Sequence, residues 1–235
     1  MKRFFCILVS AVTLCMILSA CTDRTNVGNE SSKISESNFL ESAPDQASSG
    51  KPVTNLTIAE GQTFLKDGTN VTVRLVMRYG TYLTENDGIA LGGGFAKENY
   101  VGSCELQVWN GETKLTAYAM GGESGVDTLY NKTGFSLQFD DYNGDGNPDF
   151  TVGQWCSSTE NIYTLFSINQ NAEILLLSEP YEIFTSDGKE SGNDYSTLFK
   201  KTKEGFSVSI YSNATGENET AYYTFNSTTQ KFTQK

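Results

Sequence analysis

From about Val53 onward, apolar and polar residues alternate in short runs. Val71, Val73 and Leu75 are separated by Thr72 and Arg74, and Leu106 and Val108 by Gln107. A period of two marks a strand with one buried face. The same reasoning predicts strands over 135–139, 149–155, 162–168, 173–177, 206–211 and 221–225. Asn-rich turn material separates them, at 169–171, 213–218 and 226–230. Asn110-Gly111, lying between two strand patterns, predicts a tight hairpin whose turn residues take positive φ. No segment carries a convincing 3.6-residue apolar stripe, although 191–201 leaves room for a short helix. The expected fold is all-β, with antiparallel sheets arranged as a sandwich or a partial propeller-like sheet stack.

The first 52 residues read differently. Lys2 and Arg3 precede a 15-residue apolar run, Phe4 to Leu18. That is short for a membrane span, which needs about 20 residues, and suits the core of a signal peptide. The run ends in Leu18-Ser19-Ala20-Cys21, an aliphatic residue and two small ones before a Cys. Here the segment resembles a bacterial lipoprotein precursor. The resemblance implies cleavage before Cys21 and a diacylglyceryl group on its thiol. The product would be an extracytoplasmic protein held to a bacterial membrane by its N-terminal lipid, two acyl chains anchoring durably where one does not. Residues 22–52 are rich in Ser, Asn and acids and carry neither period. They predict a flexible linker with a reach of roughly 30 Å. The expected division is a signal peptide at 1–20, the lipidated Cys and linker at 21–52, and one β-rich domain at 53–235.

Composition narrows the chemistry. Acidic residues outnumber basic ones 28 to 17, a net charge of −11, and loss of Lys2 and Arg3 with the signal takes it to −13. So acidic a body repels phosphate, which argues against nucleic acid as a partner. The chain has no His. That excludes Ser-His-Asp and Cys-His nucleophile systems and any His-ligated metal. The 14 Phe, 12 Tyr and 2 Trp suit strands better than helices.

One motif carries chemistry. In the run from Asp141 to Asp149, Asp141, Asn143, Asp145 and Asp149 place side-chain oxygens at positions 1, 3, 5 and 9 of a tight loop. Calcium takes 6–8 oxygen ligands, and alternate residues of a curled loop converge on one point. Gly146 permits the reversal. Asn147, extended because Pro148 follows it, is placed to turn its carbonyl inward. The chain offers little nearby basic compensation for these three carboxylates. Position 12 is Val152 where a helix-loop-helix calcium hand needs Glu, and both flanks read as strands. The loop resembles the D-x-[DN]-x-D-G-x-x-D calcium loop of FG-GAP or VCBS-type repeats. That resemblance implies side-chain ligation by Asp141, Asn143, Asp145 and Asp149, carbonyl ligation by Asn147, and Phe150 anchoring the next strand. It covers residues 135–177, and a single such loop is present, so a full propeller is not implied.

Cys104 and Cys156 would be the thiols remaining after processing and acylation. Both share strand parity with apolar neighbours, which leaves open a bridge worth about 4 kcal/mol in chain entropy or two buried thiols. Trp155, of opposite parity to Phe150 and Val152, either packs under another sheet or stacks on a ligand. The expected function is a calcium-stabilised binding or interaction module with a protein or glycan ligand. The alternatives are a carboxylate-dependent enzyme acting on cell-surface glycans, or an accessory subunit of an envelope complex.

Overall fold

A computed structural model describes residues 50–84, 98–121, 127–129, 134–187 and 195–235. Every regular element among them is a strand. The first sheet contains β1 (Lys51–Phe64), β2 (Asn70–Thr84), β3 (Glu98–Asn110), β4 (Thr113–Ala119), β5 (Asp127–Leu129) and β6 (Phe135–Ser136). The second contains β7 (Phe139–Asp140), β8 (Asp149–Trp155), β9 (Asn161–Ile168), β10 (Ile174–Leu176) and β11 (Ile183–Thr185). The third is β12 (Lys200–Thr202), β13 (Gly205–Ser212), β14 (Glu217–Asn226) and β15 (Lys231–Gln234). Strand order is β4-β3-β2-β1-β6 in the first sheet, β10-β9-β8-β7 in the second and β12-β13-β14-β15 in the third, with β5 on β3 and β11 on β9. The described pairings are antiparallel except the short one between β1 and β6.

The second sheet is the middle layer of a stack. On one face Phe150, Val152, Phe166 and Ile168 join a core with Val71, Val73, Leu75, Leu106 and Val108 of the first sheet. On the other, Tyr163, Leu165 and Ile183 join a second core with Phe206, Val208, Tyr223 and Phe232. This explains why β8 and β9 are buried almost continuously, without alternation. The outer sheets keep a wet face, so β2 alternates over Val71–Leu75 as its sequence predicts. The all-β expectation holds, with mostly antiparallel sheets packed face to face in a sandwich-like arrangement.

Local details depart from the sequence reading. Lys51 and Pro52, assigned to the linker, already pair with Tyr82 and Thr81 in β1. Bulges at Thr57/Ala59 in β1 and Met77/Tyr79 in β2 reset the register. The first lets Ile58 and Ala59, adjacent in sequence, both enter the core. The β3–β4 turn is displaced by one residue from the expected Asn-Gly pair. Asn110 pairs with Thr113, so Gly111 and Glu112 make the turn, and Gly111 takes φ 54°. Of the segment 191–201, which left room for a short helix, residues 191–194 lie outside the described residues, and 195–199 are irregular and lead into β12.

No disulfide joins Cys104 and Cys156. Cys104 is buried in the first core, whereas Cys156 follows the last residue of β8 and is half-buried. Strand parity stops governing a side chain once the strand has ended, and that undoes the inward assignment of Cys156. Trp155 packs against Leu83, the buried member of a small satellite cluster. Residues 1–49, with the signal segment, Cys21 and nearly all the linker, lie outside the described residues.

Candidate metal centre

The segment 141–148 closes the hairpin of β7 and β8, whose last pair is Asp140 with Asp149. Asp141 organises its backbone. Its Oδ1 accepts the N–H groups of Gly144 at 2.8 Å and Asp145 at 3.1 Å, and its Oδ2 accepts that of Gly146 at 3.0 Å. Asn143 Oδ1 accepts from Asp145 N–H at 3.1 Å, and Asp145 Oδ1 from Asn147 N–H at 2.7 Å. The Asn143 amide donates to Asp145 Oδ2 at 3.1 Å. Gly144 and Gly146, at φ 74° and 83°, supply the left-handed steps that curl the chain inward.

Asp149 differs from the other acids. It is 0% exposed; one carboxylate oxygen accepts the Tyr142 N–H at 2.8 Å, and the other, Oδ1, has no hydrogen-bond partner. Burial pushes its carboxyl up to about 7. The nearby Ser167 side chain and the Tyr142 backbone N–H oppose that rise, while repulsion from Asp145 and Asp141 adds to it. Asn147 Oδ1 is likewise buried without a partner. Such oxygens cost about 1–3 kcal/mol each unless something satisfies them.

The loop is tied to the rest of the fold. The Tyr142 hydroxyl accepts the Phe199 N–H at 2.8 Å, and its ring meets Phe206 edge-on at 5.3 Å in the second core. Lys66, in the β1–β2 turn, donates to the Asp145 carbonyl at 2.5 Å. Lys201 on β12 pairs with Asp140 at 2.9 Å. These two lysines correct the expectation of little basic compensation around the loop. Each arrives from a distant part of the chain, which local spacing does not reveal.

Four of the sequence-predicted residues, Asp141, Asn143, Asp145 and Asn147, thus fall within one hairpin connection, and the fifth, Asp149, opens β8 at its end. Among the described residues no three acidic or thiol side chains gather closely enough to hold a metal by themselves. Asp141 and Asp145 spend much of their acceptor capacity on the loop's own N–H groups. A cation here would draw on amide and backbone oxygens as well. The Asn147 side-chain oxygen is one such donor that the sequence reading, which assigned its carbonyl, passed over. Comparison with protein-family models, with curated proteins and with solved structures returned no match to this chain.

Proposed function

We propose that the chain is a membrane-tethered extracytoplasmic binding module whose β domain is clamped by calcium at loop 141–149. Asp149 carries the reading: a fully buried carboxylate with one unpartnered oxygen, repelled by Asp145 and Asp141, is costly without a cation. The donor set suits a hard ion, with carboxylates from Asp141, Asp145 and Asp149, an amide oxygen from Asn143, and the carbonyl or side-chain oxygen of Asn147. A bound dication supplies charge that the two lysines only partly provide, holding β7 and β8 together beside Tyr142, which reaches into the second core. The D-x-N-x-D-G-x-x-D spacing supports the same reading. The Leu18-Ser19-Ala20-Cys21 sequence supports acylation at Cys21 and a membrane location.

Calorimetric titration of the calcium-stripped chain tests the ion site. With three acidic ligands and no Glu at position 12, a Kd on the order of 10⁻⁵–10⁻³ M is expected, lost in Asp145→Ala. Absence of binding heat up to several times about 10⁻³ M would exclude the site.

A further inference from the structure

A cleft of about 800 Å³ is lined by β12, β13 and β14 of the third sheet together with Gln138, Asp187 and residues 197–199. Strand pairing sets Lys200, Ser207 and Tyr222 in one row across β12, β13 and β14, with Ser209 beside Thr220 in the next. Their chain neighbours Phe206, Val208, Ala221 and Tyr223 fill the second core. Alternation therefore turns the hydroxyl-bearing row the other way, toward the cleft. The volume falls in the range of roughly 300–1,000 Å³ typical of small-ligand sites.

The polar groups around this cleft are held in place. Asp187 Oδ2 accepts the Ser209 N–H at 2.9 Å, and the Gln138 amide donates to the Ser196 carbonyl at 2.5 Å. Among the described lining residues, Asp187 and Lys200 give one charge of each sign, in a molecule whose net charge is −11. A polyanion would be repelled by the whole, and a purely apolar ligand would strand the hydroxyls. Tyr222 nevertheless leaves half its surface, 52%, in solvent. An exposed ring beside hydroxyls, an amide, a carboxylate and an ammonium fits a ligand with one C–H face and many hydroxyl groups. Sugar rings have that chemistry.

We propose that this cleft binds a neutral oligosaccharide, with Tyr222 as the stacking platform and Gln138, Asp187 and Lys200 pairing with sugar hydroxyls. This deepens the binding-module reading by giving the module a face and a ligand class. The mature acylated chain, held in a zwitterionic detergent, should be titrated with laminarin, xylan, galactomannan and dextran, and with polygalacturonate as the anionic comparison. At least one neutral polysaccharide should bind. Tyr222→Ala should weaken it about tenfold or more, Tyr222→Trp should retain it, and Tyr79→Ala, a more exposed ring on β2, should leave it unchanged. Failure of every neutral polysaccharide at millimolar sugar, binding of polygalacturonate alone, or binding indifferent to Tyr222→Ala would overturn the proposal. Run with calcium and with chelator, the titration separates the two readings. Tyr222-dependent binding that ignores chelator supports the cleft even where the calorimetry above rejects the ion site.

Discussion

At the scale of single residues, Asp149 has the sharpest consequence. Its carboxyl keeps a proton up to about pH 7 in the folded state and loses it near the ordinary 3.8 in the unfolded chain. Between those values the folded state binds more protons. The contribution present at low pH is therefore lost as pH rises through this window and stays lost above it. The full loss is of the order of 4 kcal/mol. Melting in chelator should accordingly fall between about pH 4 and pH 7, and calcium should flatten that slope by favouring the ionised carboxylate. Asp149→Asn should remove the slope and, at pH 8 in chelator, melt above the wild type. Melts of both proteins across the range, with and without calcium, check this. A wild-type slope unchanged by Asp149→Asn would place the pH dependence elsewhere.

At the scale of elements, what can be read from the sequence depends on how local the cause is. The alternation of Val71, Val73 and Leu75 is legible because β2 buries only one face there. The loop's curl is equally legible, since Asp141, Asn143, Asp145 and the two glycines act within nine residues of one another. β1 is harder to read, because its bulge sets two neighbouring residues facing the same core. The double-sided burial of β8 and β9 depends on a third sheet contributed by the last 36 residues of the chain, 200–235. The lysines around the loop come from 79 and 61 residues away and leave no trace in its motif. Lys66 gives a prediction of its own, because a cation on the loop's carbonyl repels another cation in the loop. Lys66→Gln should tighten calcium binding about two- to fivefold, measured by calorimetry at low salt, and the effect should shrink as salt is raised. No change at low salt would mean that the ammonium and the ion do not share a field.

At the scale of the whole molecule, the proposal joins a lipid tether, a linker and a stack of three sheets stiffened by calcium at one hairpin. Cys21→Ser should abolish incorporation of a fatty-acid analogue and leave the chain unprocessed or shed, while the wild type is labelled and retained with membranes. An unlabelled wild type would remove the tether from the account. The calcium clamp itself is tested most directly by thermal melting of the mature chain at neutral pH, in chelator and in calcium at about a hundredfold excess over its Kd. Binding confined to the folded state adds about 2.7 kcal/mol under those conditions. For a domain of this size that corresponds to a rise of roughly 5–10 °C, most of which Asp145→Ala should remove. Identical melting of the wild type in chelator and in calcium would contradict the clamp.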